Sequence, residues 1–151
     1  QSVKDLNEWL NPEQKNYSHS QRRRKTSQEK TPSYLNIDYE GANILVGLSA
    51  KGNRYVTFKL ARPEDIWLHV HEMPGAHVII KGVRRSELES IKRNVLEYAA
   101  SLAALHSSGK NSASVPVDYT ERKYIRSVPG TIALVTYINP GTLRVSPLIS
   151  E

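Results

Sequence analysis

The stretch WLHVHEMPGAHVII (Trp67–Ile80) sets His69, His71 and His77 with the acid Glu72 around a Pro-Gly pair, between two apolar runs. Histidines at i and i+2 on a strand point to one face, an arrangement that suits a metal ion. Structural zinc wants about four ligands, and the chain has no cysteine, so a site would need all three histidines plus Glu72 or Asp65. Trp67 and His71, however, share the parity of His69, while Leu68 and Val70 take the other face. That is the pattern of a half-buried strand. We therefore read the histidines as satisfied polar residues beside a turn, with no metal and no cofactor. A metal-dependent enzyme stands as a third reading, which elemental analysis of chelator-free protein would decide.

Other catalytic chemistries find less support. No G-x-S-x-G elbow is present, and the serines gather in the N-terminal stretch and in HSSGKNSAS (His106–Ser114). AKGN and VPG lack the G-x-x-x-x-G-K-[ST] frame of a phosphate loop. Glu64-Asp65 follows a proline, where entry into a strand or helix explains it. We expect a protein that is not an enzyme.

The charge points elsewhere. Lys and Arg number 21 against 15 acids, a net +6 with a pI near 9.6, which favours a polyanionic partner. The absence of cysteine removes disulfides and thiolate chemistry and makes the cytoplasm the default address. No apolar run approaches the roughly 18–20 residues that span a bilayer, and the N-terminus lacks a signal-peptide pattern. The chain begins with Gln1, as expected of a piece of something longer.

The elements that must position these residues divide the 151-residue chain in two. Residues 1–33 carry a short apolar-faced stretch, VKDLNEWLNP, and then NYSHSQRRRKTSQEKTPS, which has no aliphatic residue. We expect a short helix followed by a flexible basic linker. Residues 34–151 form the folded body, and each part holds about half of the positive excess. In the body, YLNIDY and ANILVGLS read as strands around a Glu40-Gly41 turn. AKGN reads as another turn and YVTFKLA as a strand rich in β-formers. Pro74-Gly75 reads as a tight hairpin turn, with Gly75 at positive φ. Ser86 and Glu89 form an S-x-x-E capping box ahead of Leu88, Ile91, Val95, Tyr98, Ala99, Leu102 and Leu105 at helical spacing. VPVDYTERKYI, TIALVTYI and TLRVSP read as three further strands. The expected fold class is α+β: a mostly antiparallel sheet with one long amphipathic helix packed on it.

Two of these segments carry a resemblance. ILVGLSAKGNRYVTFKLARPEDIWLHVHEMPGAHVII and VPVDYTERKYIRSVPGTIALVTYINPGTLRVSP resemble, in the right order, the two motif blocks of the NFACT-R domain of the RqcH/NEMF (fibronectin-binding protein A-like) family. The likeness covers about Tyr34 to Pro147. The matching positions are Gly47, Asn53, Asp65, Trp67, His69, Pro74, Gly75, His77, Asp118, Tyr119, Lys123 and Arg126. Departures are Arg54, where many members have an acid, His71, where many have a base, and a less basic Ile125–Gly130. The resemblance implies an RNA-binding module behind a coiled coil. The parent factor would work in ribosome-associated quality control, on a large subunit holding a stalled peptidyl-tRNA, and would recruit tRNA to extend the nascent chain.

It follows that the expected partner is RNA, either large-subunit rRNA or tRNA, with ribosomal proteins as further contacts and no membrane. The isolated domain is expected to be a monomer. The candidate RNA-binding residues are Lys51, Asn53, Arg54, Arg62, Trp67, His69, His77, Lys81, Arg84, Arg85, Lys123 and Arg126. If the cations converge, they read phosphates with salt-dependent affinity. Trp67 is either a stacking platform or a core residue. The alternative function is a protein-interaction module that docks on ribosomal proteins or a fibronectin-type ligand.

Overall fold

A computed structural model describes residues 31–147, and the expected N-terminal helix and all but residues 31–33 of the expected linker lie outside them. Six antiparallel strands make the main sheet in the order β1-β2-β4-β3-β5-β8. They are β1 (Tyr34–Tyr39), β2 (Ala42–Gly47), β3 (Ile66–Val70), β4 (Val78–Lys81), β5 (Val115–Glu121) and β8 (Gly141–Val145). A separate hairpin pairs β6 (Ile125–Ser127) with β7 (Val135–Tyr137). The α+β class with a dominant antiparallel sheet is the one expected.

Strand alternation sorts the sheet's two faces. Ile44, Val46, Ile66, Leu68, Val70, Val78, Ile80 and Val117 are buried in one core with the helix Arg93–Leu105 (α3), which contributes Val95, Leu96, Ala99, Ala100, Leu102 and Ala103. Leu45, Trp67 and Ile79 point to the other face, which is also covered. Buried on both sides, β2, β3 and β4 read as continuous apolar runs rather than alternating ones.

The cover on that second face departs from expectation. AKGNRYVTFKL is a helix, α1 (Ala50–Tyr55), running into a π-helical turn over Val56–Leu60, not a turn and a strand. Ser49 caps it by accepting from the Gly52 N–H at 3.0 Å, and the Ala61 N–H bonds to the Val56 carbonyl at 3.0 Å to close the π turn. Gly52, Asn53, Val56 and Thr57 are buried at helical spacing, so packing outweighs the β preference of Val, Thr and Phe. Close approach of α1 to β2 requires Gly47, because a Cβ there would stand 2.1 Å from Asn53 Oδ1 and 2.7 Å from its Cα.

Two further corrections concern turns. The β3–β4 connection is longer than a two-residue hairpin, since register pairing runs from Ile66 with Ile80 only to Leu68 with Val78. Gly75 is not at positive φ; Glu72 takes that conformation instead, at φ 53°. Gly75 is small because it bridges to Ser107, where a Cβ would meet the Ser107 Cβ at 2.9 Å and Val70 Cγ2 at 3.0 Å. The expected long helix begins only at Arg93, behind a separate turn of helix, α2 (Arg85–Leu88). Glu87, not Glu89, reaches back to the Arg84 N–H, and the break between α2 and α3 leaves Ile91 78% exposed instead of in the apolar stripe.

Candidate nucleic-acid interface

The opening motif builds an interior polar layer. Trp67 is fully buried on the α1 side of β3, and its indole N–H donates to His77 Nδ1 at 3.1 Å. An indole nitrogen only donates, so His77 Nδ1 accepts and the ring proton sits on Nε2. Thr57 Oγ1 approaches the same Nδ1 at 2.9 Å, which ties the π turn to the sheet. Asn53 Oδ1 accepts from the His77 backbone N–H at 3.0 Å. His69 stacks on Trp67, and its two ring nitrogens lie 2.6 Å from the Val70 carbonyl and 3.2 Å from that of Gly75. Burial pushes the His77 pKa well below the usual imidazole range, with His69 adding to it, and lowers that of His69.

A second cluster continues this layer. Asp118, opposite His69 in the register, is buried and accepts from Tyr137 Oη at 2.6 Å and Thr142 Oγ1 at 2.7 Å. His71 Nδ1 lies 2.8 Å from the same carboxylate, and this bond raises the pKa of the half-exposed imidazole. Asp118 therefore fastens the β6–β7 hairpin, through Tyr137, to the sheet. The three histidines do not converge as ligands. His69 faces carbonyls, His71 faces Asp118 and His77 faces Trp67 and Thr57.

The candidate RNA-binding residues accordingly part into three groups. Asn53, Trp67, His69 and His77 are interior, at no more than 9% exposure, and offer no surface to a base. Lys81, Arg85 and Lys123 are neutralised by neighbours. Lys81 Nζ lies 3.1 Å from Asp65, Lys123 lies 3.1 Å from Glu64, and Arg85 bonds Glu89 at 3.0 Å and Glu121 at 3.2 Å. Arg84 shares with Arg85 an open groove of about 560 Å³ whose other walls include Glu64, Glu89 and Glu121. Arg62 is exposed just before Glu64, and its backbone N–H bonds Asp65 at 2.7 Å.

The third group is different in character. Arg54 is exposed on α1, with Nη1 donating to the Ile132 carbonyl at 3.2 Å and to Ser127 Oγ at 3.4 Å, and its guanidinium carbon lies 5.3 Å from the Phe58 ring centre. Arg122, in the 3₁₀ turn Arg122–Tyr124, lies 4.5 Å from the same ring centre and donates to the Thr57 carbonyl. Burial lowers the Arg122 pKa, and the neighbouring charge of Arg126 lowers it further. Among the described residues, none of Arg54, Arg122 and Arg126 forms a salt bridge, nor do exposed Lys51 on α1, Arg62 and Arg84, but Arg84 faces a groove walled by Glu64, Glu89 and Glu121. Guanidiniums around one aromatic ring, with no carboxylate paired to them, make a ready phosphate contact.

Arg122 and Phe58 were not among the expected site residues. Arg122 sits between Glu121 and Lys123, so it looks charge-compensated in sequence; Phe58 looks like a strand residue until YVTFKL is seen as helical. Spacing did hold one signal: Arg54 and Phe58 are four apart, on one side of a helix.

Comparison with known proteins shows what the chain is similar to. Residues 33–145 match the family model described as NFACT protein RNA binding domain. The chain is 39% identical over 108 residues to the Rqc2 homolog RqcH of Bacillus subtilis, covering 71% of this chain and 18% of that protein. It is 37% identical over 129 residues to the Rqc2 homolog RqcH of Streptococcus pneumoniae, covering 84% of this chain and 22% of that one. Among solved structures it is similar to the C-terminal part of the fibronectin/fibrinogen-binding protein from Streptococcus suis. There the TM-score is 0.71 at 32% identity, over 85% of this chain and 50% of the other. The chain thus spans about a fifth of the length of these two curated relatives.

Proposed function

Because this chain belongs to the NFACT protein RNA-binding domain family, we propose that it is the RNA-binding module of a ribosome-associated quality-control factor, working in the cytoplasm and contacting large-subunit rRNA or tRNA. The observation that carries the contact surface is the pair Arg54 and Arg122 at the Phe58 ring with Arg126 near Arg122, cations with no salt-bridged acid among the described residues. Phosphate oxygens supply the charge this cluster lacks, and guanidiniums bind them through charge-assisted hydrogen bonds. The module does no chemistry of its own. Its buried histidines and Asp118 are spent on hydrogen bonds that hold α1 and the β6–β7 hairpin in place. No helix among the described residues is long and apolar enough to cross a membrane.

The test is filter binding of tRNA and of large-subunit rRNA fragments at low salt. The variants are Arg54→Glu/Arg126→Glu and, for comparison, Arg84→Glu/Arg85→Glu. We expect the first pair to lose binding by at least about tenfold, while the second, next to acids already, loses clearly less. No binding by wild type at low salt, or equal loss in the two pairs, would sink the assignment. Capture of a ribosomal protein or of fibronectin that survives nuclease and high salt would favour the protein-docking reading instead.

A further inference from the structure

Phosphate contact alone leaves two features of this cluster unused. The first is that Arg54 is held still: its Nη1 is bonded to a backbone carbonyl and a serine hydroxyl, and its guanidinium stands over Phe58. A cation that serves only as a charge gains little from being fixed; a fixed guanidinium is also a flat platform. The second is Ile132, in the β6–β7 loop, 38% exposed although large and apolar. The carbonyl that anchors Arg54 is that of Ile132 itself, so platform and apolar wall are joined. Arg122 and Arg126 complete the surroundings with positive charge.

An aromatic or guanidinium plane beside an apolar side chain fits the face of a nucleobase, and bases present their faces only where they are unpaired and unstacked. Building on the RNA reading above, we infer that an unpaired base lies on the face of Arg54 against Ile132 while the charges of Arg54, Arg122 and Arg126 meet the adjoining phosphates. The domain then prefers single-stranded or bulged RNA to a duplex of equal charge.

Fluorescence anisotropy tests this with three probes of equal length: a single-stranded uridine oligonucleotide of about twelve nucleotides, the same strand with abasic residues, and a duplex. Two variants leave the charge unchanged. Arg54→Lys keeps the cation and removes the plane, and Ile132→Ser removes the wall. Both positions are exposed, and thermal melts verify that the variants fold. Ile132→Ser should lose about fivefold or more on the base-bearing strand, with its affinity for the abasic strand within about twofold of wild type. Arg54→Lys, which also loses guanidinium geometry at phosphate, should lose at least about threefold more on the base-bearing strand than on the abasic one. Equal loss on both strands, or none on either, overturns the base contact while leaving the phosphate contact standing. A wild type that binds none of the probes at low salt overturns the RNA reading as well.

Discussion

Trp67 spends its only polar atom on His77, and His77 answers with the one nitrogen that can accept. That pairing explains why the residues of the opening motif look chemical in sequence and yet act structurally: the polar side-chain atoms of Trp67, His69 and His77 are turned inward. It also sets a pH dependence. Burial depresses the imidazole pKa values of His77 and His69 below that of the unfolded chain, so their contribution is complete above about pH 6.5 and is lost as pH falls. His71 has the opposite sign. Its bond to Asp118 raises its pKa, so its contribution is complete below the ordinary value and fades as pH rises through the folded-state value. Half exposed, the pair is worth under about 1 kcal/mol. Denaturant melts from acid to mildly alkaline pH should therefore show a steep loss on the acid side in both wild type and His71→Gln. Only wild type should show the small alkaline loss. An alkaline loss that persists in His71→Gln would rule out the His71–Asp118 pair as its cause.

The elements of this fold depend on a few contacts that alternation and propensity do not display. Gly47 is the clearest. Gly47→Ala puts a methyl into Asn53, so α1 must move off the sheet, and we expect a loss of about 1–3 kcal/mol in urea unfolding. The exposed Ile91 is its counterpart: Ile91→Lys should change stability by no more than about 0.5 kcal/mol, whereas a place in the apolar stripe would make it costly. The strands β1 to β4 and most of α3 were legible because their apolar spacing is long and unmixed. Helix α1 was not, because YVTF favours strand locally and the residues that demand a helix, Asn53, Val56 and Thr57, find their partners in distant Trp67 and His77. The α2–α3 break escaped notice for a related reason. Glu89 looks like a helix cap but bonds Tyr119 Oη at 2.7 Å, a partner from β5.

At the scale of the whole molecule, the sheet is a partition. One face carries the α3 core, and the other carries a polar layer that seats α1 and the β6–β7 hairpin; on that side Arg54 and Arg122 meet at Phe58, and Arg126 stands near Arg122. Net charge was visible in sequence, but its distribution was not. Lys81, Arg85 and Lys123 are as basic as the others on paper and are paired with Asp65, Glu89, Glu121 and Glu64 in space. The most direct test of this partition is the salt dependence of tRNA binding for wild type, Arg54→Gln/Arg126→Gln and Lys81→Gln/Lys123→Gln. Each phosphate contact on a single strand contributes about 0.7 to the slope of log affinity against log salt. The Arg54/Arg126 pair should lower that slope by about 1.4 and the Lys81/Lys123 pair should leave it in place; the reverse order, or a slope unchanged in both, would contradict the account.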